Sequence, residues 1–529
     1  MHDLTIRTRI VAAARATSVA QVLVAVLASV VYLLAPWNGR AVDDVQILAH
    51  PLLASARTLP AALASPWWYA TGYLYRPLTL VLLGIEQLVS GGAVWLPHVV
   101  NVALHAAVAV LALRLYARFL PLRAACAAAL LFAVLPVHAE AVASIVGQAE
   151  LLSALALLAL MLLVSGASAP TRGRCVQAAL LSAVALAAKE GGVTAPFLAL
   201  AVAWTVPAQR RNATRWATAA LAGTGALLAA RLLVLGSLGG ELANPVFRGA
   251  SLVTRLSVAL AMLPRSLAML TLPVPPAIDD VPTLEAIQHP ALLPIVLGVG
   301  LVGAALVALW RHRRHPTAAT LGMCIAAATL APTANLFFAS GVVLSGRTHY
   351  ASSIGAGLVL GAVLAAAMGG RWLWMRRAVP YVVATVGVWA FVVTWREVPV
   401  WRDTNSVGAA MVARQPDDYR SYRALAYSAR DGGRPAEAMV HFRAAITRFP
   451  AEPEMLTDGA TVALQLHDTV TATAWLQLAV ATSPRAVRAR TRLFGILRAR
   501  GDTAAAQQLL RDGLRESPGQ RTWHALLAE

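Results

Sequence analysis

Charged residues are scarce in this chain. They make up 13% of its 529 residues, against 58% hydrophobic residues and a mean hydropathy of +0.64. This balance excludes an ordinary soluble globular domain, in which about 25% of residues are charged. Cysteine is rarer still: only Cys126, Cys175 and Cys324 occur, far apart, so the sequence offers neither a disulfide framework nor a zinc-binding spacing. Lysine is nearly absent, because Lys189 is the only one among 44 basic residues.

Long apolar runs are what the chain has in abundance. A helix needs about 20 apolar residues to cross a bilayer core of about 30 Å. The shorter run 78–90 either crosses upright or forms a re-entrant segment. We therefore expect a polytopic membrane protein with about eleven transmembrane helices, in segments 17–36, 97–119, 122–137, 142–166, 175–206, 216–237, 253–274, 291–310, 317–339, 353–370 and 379–395.

The net charge of +19 does not indicate nucleic-acid binding. The arginines fall in short clusters between apolar runs rather than on one surface, for example Arg7, Arg9 and Arg15 before the first run and those at 311–314. Short basic clusters of this kind follow the positive-inside rule. They predict a cytoplasmic N-terminus and an external first loop over residues 37–75.

The composition changes abruptly after about residue 396. Four prolines then follow one another at intervals of 34 residues, the period of the tetratricopeptide helix-turn-helix unit, at positions 416, 450, 484 and 518. Stacked units of this kind usually bind a peptide or protein on their concave face; the alternative interpretation is a structural cap. We expect a membrane domain over 1–396, a juxtamembrane linker over 397–415, and about three repeats with a terminal helix over 416–529.

Two adjacent carboxylates, Asp43 and Asp44, follow the first apolar run. The pair is consistent with a solvated turn, but its position at the level of lipid headgroups favours catalysis. Transfer of a sugar from a lipid phosphate needs one carboxylate to remove the proton of the attacking hydroxyl. Either aspartate could be that base.

Other polar islands interrupt the apolar runs, where charges are costly and are therefore candidates for function. Arg76 is either an interfacial anchor or a phosphate ligand, since its planar guanidinium matches a phosphate. His138 and Glu140 end an apolar run, with Gln148 and Glu150 further along. These residues are either helix-end polar groups or the lining of a site.

Two more islands lie further along the chain. Lys189 and Glu190 precede two glycines, so they form either a self-neutralising pair at a helix break or part of a site. Arg347 lies between Gly346 and Thr348 rather than among other cations, which favours a phosphate contact over an anchoring role.

Taken in order, these segments resemble the transmembrane and tetratricopeptide-repeat protein O-mannosyltransferases. The resemblance covers nearly the whole chain. It implies an all-α fold, in which a polytopic GT-C glycosyltransferase core precedes a tetratricopeptide-repeat α-solenoid. The segments that carry the resemblance are Asp43-Asp44, Tyr75-Arg76-Pro77-Leu78-Thr79, the run from Pro136 to Leu152, Lys189-Glu190 with its glycines, Asn335 through Tyr350, and the C-terminal repeats.

The resemblance implies an inverting enzyme, and the excess of arginine over lysine together with the abundant alanine favours a bacterial source, hence a bacterial inner membrane. The enzyme would move a sugar, with mannose expected, from a polyprenyl-phosphate carrier to Ser or Thr hydroxyls of exported polypeptides, on the external side where the repeats lie. One of the two aspartates would be the base, and Arg76 and Arg347 would contact the donor phosphate. The predicted substrate-binding residues are Arg76, His138, Glu140, Glu150, Lys189, Glu190, Arg347 and Tyr350.

The chain departs from the family pattern at Gln148, Glu150 and Gly346, where the family usually has Arg, Asp and Glu. A catalytically silent, membrane-anchored scaffold is therefore one alternative, and a GT-C enzyme that acts on a lipid or surface glycan is another. A transporter is a weaker alternative, because the sequence lacks two-fold internal similarity. The sequence identifies no cofactor, and it leaves open whether the carboxylates hold a divalent cation.

Overall fold

The computed structural model describes residues 17–69, 74–238, 244–247, 249–483 and 486–528, and every regular element in these ranges is a helix. Arg7, Arg9, Arg15 and Pro484, which entered the predictions above, lie outside the described residues. An all-helical architecture with apolar helices is therefore confirmed, as expected for a membrane protein.

The chain divides into two compact units. The membrane unit comprises Met1–Asn244, Ser251–Asp279 and Ala291–Asp403, and the C-terminal unit comprises Pro245–Ala250, Asp280–Pro290 and Thr404–Glu529. The helices of the membrane unit are α1 Thr17–Trp37, α2 Asp43–Leu48, α3 Pro77–Ser90, α4 Trp95–Phe119, α5 Leu122–Ala133, α6 Ala139–Ala143, α7 Gln148–Val164, α8 Arg172–Ala188, α9 Ala195–Thr205, α10 Ala213–Leu235, α11 Leu252–Thr271, α13 Leu292–Arg311, α14 Ala318–Leu330, α15 Tyr350–Gly369 and α16 Leu373–Glu397. The C-terminal unit contains α12 Leu284–Gln288, α17 Thr404–Arg414, α18 Tyr419–Asp431, α19 Pro435–Arg448, α20 Pro453–Gln465, α21 Thr469–Thr482, α22 Val487–Ala499, α23 Thr503–Glu516 and α24 Arg521–Ala528.

Within the described ranges, eight helices are long and apolar enough to cross a membrane, or nine if the bent pair Leu122–Ala133 and Pro136–Ala143 is one span. This count is lower than the eleven expected. The predicted segment 175–206 is broken at Lys189 into α8 and α9, and the segment 317–339 stops being helical at Leu330. Apolar composition indicates that a stretch is buried in lipid or protein, but it does not predict where the helix breaks.

The helix breaks bring backbone ends together inside the membrane unit. Pro77 begins α3, where the preset dihedral of proline suits the first helical residue, and Arg76 is the residue before it. A short 3-10 turn, Glu190–Thr194, joins α8 to α9. Two of the polar islands of the sequence, at Arg76 and at Lys189 with Glu190, therefore lie at helix ends.

Close helix packing holds this arrangement in place. Gly322 of α14 and Gly355 of α15 face each other, and a Cβ atom on Gly355 would lie 2.3 Å from the carbonyl oxygen of Gly322. Only glycine permits this approach, so the hairpin of α14 and α15 depends on both residues. The start of α15 is thereby positioned, and Arg347 lies just before it.

The C-terminal unit consists of helix pairs. The first helices begin at Tyr419, Pro453, Val487 and Arg521, so the 34-residue interval of the prolines is also the interval of the helices. Apolar residues that recur at the same 34-residue interval are fully buried: Ala438, Ala472 and Ala506; Phe442, Leu476 and Leu510; and Ala445 and Ala479.

A segment from an earlier part of the chain belongs to the same unit, which the sequence did not indicate. The amide of Val281 donates to Asp418 Oδ2 at 2.9 Å, and Gln415 Nε2 donates to Asp280.

Candidate active site

Asp43 begins α2, just beyond the first membrane helix. Its Oδ2 lies 3.0 Å from Nη1 of Arg347, although 304 residues separate the two in sequence. The side chains of Asp43 and Arg347 keep 30% and 26% of their exposure. A carboxylate that is both paired and open to solvent can exchange its partner for a ligand.

Asp44 has a different environment. It is fully buried, and it accepts hydrogen bonds from the amide of Val146 (2.9 Å), the hydroxyl of Ser144 (3.2 Å) and the amide of Ala41 (3.1 Å). Burial raises the pKa of Asp44 to about 6, while the backbone donors act in the opposite direction. These contacts anchor the segment before α7 onto α2. The prediction that one of the two aspartates is the base therefore depends on Asp43.

Glu140 orients Arg347 from the other side. Its Oε2 accepts from the backbone amide of Arg347 at 3.0 Å and from the hydroxyl of Ser345 at 2.6 Å, and its Oε1 lies 3.3 Å from Arg347 Nε. Glu140 is 4% exposed. The guanidinium is thus held between the buried carboxylate of Glu140 and the partly exposed carboxylate of Asp43.

Arg76 and Glu190 form a second ion pair. Glu190 Oε2 accepts from Arg76 Nη2 at 2.8 Å and Glu190 Oε1 accepts from Arg76 Nε at 3.2 Å, in the two-pronged geometry that suits a guanidinium. The guanidinium also lies 5.1 Å from the ring centroid of Trp67, at cation–π distance.

Lys189 pairs with Glu150 rather than with its neighbour Glu190. The interpretation of Lys189 and Glu190 as a self-neutralising pair therefore does not match their contacts. Lys189 bridges to Glu150 of α7, whereas Glu190 bridges to Arg76 in front of α3.

These pairs form one group. The charges of Arg76 and Arg347 both act on Lys189, and Arg347 interacts electrostatically with Glu150 as well as with Asp43 and Glu140. We name this group the charged cluster: Asp43, Arg76, Glu140, Glu150, Lys189, Glu190, Arg231 and Arg347.

Arg231 was not among the sequence candidates. It lies in α10, is 9% exposed, and approaches Glu190 Oε1 at 4.0 Å. The criterion that selected Lys189, a charge inside an apolar run, applies equally to Arg231. With Arg231 included, four cations face four carboxylates, so the formal charges of the group balance.

His138 and Tyr350, predicted to bind substrate, lie in a separate group. Both are fully buried, with ring centroids 4.6 Å apart. His138 Nε2 lies 2.7 Å from Ser353 Oγ, and the hydroxyl of Tyr350 lies 2.7 Å from His105 Nδ1. We name this group the imidazole cluster: Tyr32, His105, Phe132, His138 and Tyr350. The contacts of the imidazole cluster favour a role in packing over a role in substrate binding.

Two of the three departures from the family pattern have local explanations. Gln148 donates to Glu86 Oε1 at 2.8 Å, so a neutral amide contacts one oxygen of a buried carboxyl group there. A Cβ on Gly346 would lie 3.0 Å from Cβ of Pro276 and 3.2 Å from the carbonyl of Val137, which leaves little room for a longer side chain.

No group of three or more His, Cys, Asp or Glu side chains suited to a metal ion occurs in the described part of the chain. The carboxylates of the charged cluster face cations instead. The arrangement is suited to binding an anion at Arg347 or Arg76, next to the partly exposed carboxylate of Asp43.

No family model matches the chain. Protein O-mannosyl-transferase TMTC3 of Mus musculus is 40% identical over 124 residues, which are 23% of this chain and 14% of that protein. Protein O-mannosyl-transferase TMTC4 of Homo sapiens is 44% identical over 98 residues, which are 15% of this chain and 13% of that protein. The matches thus span about one seventh of the relatives' length. They support the resemblance that the motifs indicated.

Proposed function

We propose that this protein is a GT-C glycosyltransferase that moves a mannosyl group from a polyprenyl-phosphate carrier to Ser or Thr hydroxyls of polypeptides. The observation that carries the proposal is the pairing of Asp43, a partly exposed carboxylate outside the membrane-spanning helices, with Arg347. The names of the partial relatives support the choice of sugar and acceptor.

Donor binding and base release are coupled in this proposal. The donor phosphate takes the place of the Asp43 carboxylate at Arg347, since a guanidinium binds either anion with the same fork. Glu140 keeps its contacts with Arg347 and holds the guanidinium in position. Asp43 is then free to accept a proton only when donor is present.

The chemical step is a displacement at the anomeric carbon. The acceptor oxygen forms a bond to this carbon as the bond to the phosphate oxygen breaks, and the phosphate leaves with the electron pair. Asp43 takes the hydroxyl proton, and Arg347 and Arg76 stabilise the charge that develops on the phosphate. A single displacement inverts the anomeric configuration.

The C-terminal unit serves the acceptor in this proposal. Its helix pairs recur every 34 residues, as in tetratricopeptide repeats, and such stacks bind extended polypeptides on their concave face. We propose that this unit and the site lie on the external side of a bacterial inner membrane, as the arginine clusters favour.

The test is transfer of labelled mannose from synthetic polyprenyl-phosphate mannose to a peptide with one threonine, by the purified full chain in lipid vesicles. Asp43→Asn should lower kcat about 10²- to 10⁴-fold, the usual contribution of a general base. Asp431→Asn, an exposed change in the C-terminal unit, is the matched control.

A wild-type protein that transfers neither mannose nor any other sugar from polyprenyl phosphate would overturn the proposal. That result would favour a membrane-anchored scaffold. If the wild type transfers sugar and Asp43→Asn is equally active, Asp43 is not the base.

A further inference from the structure

Two arginine clusters that are distant in sequence meet at one end of the membrane unit. One lies at the start of the apolar segment Pro207–Leu235, and the other lies at the end of α13 or just after it. Nη1 of Arg210 donates to the backbone carbonyl of Arg314 at 3.4 Å. Since both segments could cross a membrane, their ends lie at its surface. We name the joined clusters the arginine patch, whose six members are all exposed: Arg210, Arg211, Arg215, Arg311, Arg313 and Arg314.

The arginine patch is remote from the charged cluster. Both groups have a member in α10, namely Arg215 in the patch and Arg231 in the charged cluster. A rise of 1.5 Å per residue separates the two by about 24 Å along the helix, which approaches the thickness of a bilayer core of about 30 Å. The patch therefore lies near the other membrane surface, and it is not part of the proposed active site.

No carboxylate neutralises the arginine patch. The sequence contains no Asp or Glu in residues 191–240 or 286–396, which include both clusters and their neighbouring helices. Among the described residues, none of the six arginines takes part in an ion pair. Arg210 Nε, for example, donates to the neutral carbonyl of Trp204 at 2.9 Å. The patch thus carries an excess of positive charge, whereas the charges of the charged cluster balance.

A buried glutamine, Gln209, fixes the turn that carries Arg210 and Arg211. Its Nε2 donates to the carbonyl of Ser168 at 2.9 Å, and its Oε1 accepts from Trp216 Nε1 at 3.0 Å. The turn is thereby attached to the loop before α8 and to α10. The backbone of the two arginines is in place before a ligand arrives, which lowers the entropic cost of binding one. The positive-inside rule alone requires basic residues on one side, not a fixed turn.

The surroundings of the patch indicate which anion it meets. Only 6% of the most apolar stretch of α13 is buried in the protein, so lipid surrounds this helix as far as Arg311. Trp310 is 63% exposed, and the guanidinium of Arg313 lies 4.5 Å from its ring centroid. Tryptophan at the end of a membrane helix lies at the level of the lipid headgroups. The phosphate groups of lipids lie at this level, and they match a guanidinium.

We infer that the arginine patch binds the phosphate of an anionic phospholipid headgroup. The site prefers phosphatidylglycerol, or a related lipid of net negative charge, to zwitterionic phosphatidylcholine, because the described residues supply no counter-charge of their own. A lipid bound by both clusters ties the turn before α10 to the end of α13. This site does not depend on the proposed sugar transfer, since it lies near the other membrane surface.

Three arginines of the patch are suited to a charge-removal test. The side chains of Arg211, Arg311 and Arg314 donate no hydrogen bond to any described residue, so their replacement by glutamine removes charge without breaking a contact. The variant Arg211→Gln/Arg311→Gln/Arg314→Gln, as the full chain in detergent, should bind fluorescent phosphatidylglycerol about tenfold to 100-fold more weakly than the wild type. Each arginine near an anionic headgroup contributes roughly fivefold in affinity. Thermophoresis measures the dissociation constants.

A second group of arginines provides the matched control. Arg371, Arg376 and Arg377 are exposed, lie between two membrane helices, and belong to the same stretch without carboxylates. Arg371→Gln/Arg376→Gln/Arg377→Gln should leave the affinity for phosphatidylglycerol unchanged. Equal losses in the two triple variants would mean that any basic cluster attracts the lipid, and this would overturn the inference. Equally tight binding of phosphatidylcholine by the wild type would overturn it as well.

Experiments on the wild type identify the ligand without any variant. Unlabelled phosphatidylglycerol should displace the fluorescent lipid at concentrations at which glycerol phosphate and a glutamate-rich peptide do not. Equal displacement by glycerol phosphate would indicate a site for free phosphates, and equal displacement by the peptide would indicate a protein partner; either result would overturn the inference. A photoreactive phosphatidylglycerol should label segments 207–215 and 310–315. Absence of label from both segments contradicts the inference even if the triple variant does not fold.

Discussion

The charged cluster and the imidazole cluster lie close together in sequence but differ in what they can do. Asp43 and Arg347 keep about a quarter or more of their side-chain exposure, whereas His138 and Tyr350 have none. Ligands can therefore reach one cluster and not the other.

Glu140 belongs to the first group and His138, only two residues earlier, to the second. Residues two apart in a helical turn point to nearly opposite sides. A polar island in the sequence is thus not one site. Its members divide between chemistry and packing according to side-chain direction.

Removing Arg347, a member of the charged cluster, should reduce sugar transfer and stability more than any other change described below. Arg347→Ala leaves Glu140 buried without its cation and removes the proposed phosphate ligand. We expect a loss of transfer of about 10²- to 10³-fold and destabilisation of about 3–5 kcal/mol, typical of a broken buried ion pair. Transfer assays and denaturant titration in detergent measure both. Arg443→Ala, an exposed ion-pair residue, should change neither; comparable losses in that control would mean that the effect is not specific to the charged cluster.

Exchanging the charges of the second pair tests whether Arg76 and Glu190 act as a unit. Arg76→Glu places two carboxylates together and should destabilise the protein by about 3 kcal/mol. Adding Glu190→Arg should restore about half of this loss, because the double variant recovers the opposite charges. Denaturant titration of the two single variants and the double variant gives the coupling. Additive losses would show that the pair does not interact.

Asp44→Asn should affect stability more than chemistry. It removes hydrogen-bond acceptor capacity that holds Ser144, Val146 and Ala41, at a cost of about 1–3 kcal/mol. Transfer by the folded fraction should stay within about threefold of the wild type. A loss as large as that of Asp43→Asn, in a variant that remains folded, would return Asp44 to the catalytic role.

The same residue gives a pH dependence with a definite sign. The pKa of folded Asp44 is about 6, above its usual value of 3.8. Its contribution to stability is therefore fully present below about pH 4 and is lost as the pH rises through about 6. Between pH 4 and 7, the stability difference between wild type and Asp44→Asn should shrink. A difference independent of pH would contradict the buried, titrating carboxyl group.

Tyr350→Phe should have the smallest effect. It removes the hydroxyl that contacts His105 Nδ1, at a cost of about 1 kcal/mol, and leaves the packing of the ring unchanged. Donor and acceptor KM should not change, because the residue does not face the charged cluster. A raised donor KM would place Tyr350 in the substrate site after all.

Much of the candidate site could be predicted from the sequence. Arg76, Lys189, Glu190 and Arg347 were found because charges inside apolar runs are costly and rarely without a role. The same criterion would have found Arg231. The separate environments of Asp43 and Asp44 could not be predicted, because adjacent residues of a helix point 100° apart and the sequence does not say which side is solvent.

The sequence by itself determined that this is a membrane protein and that its C-terminal helices recur at a fixed interval. Scarcity of charge required a membrane-embedded core, and the 34-residue interval of the C-terminal prolines reappears in the starts of the helices. Local composition and spacing are enough for both, because each depends on neighbours along the chain.

Only the tertiary structure decided which charges pair and which of them a ligand can reach. Arg76 meets Glu190 across 114 residues and Asp43 meets Arg347 across 304. Such pairs depend on where helices break and how they pack, as at Lys189 and at the contact of Gly322 with Gly355. The sequence restricts charges to few places in a membrane protein, but the distances that decide their chemistry arise from packing between distant segments.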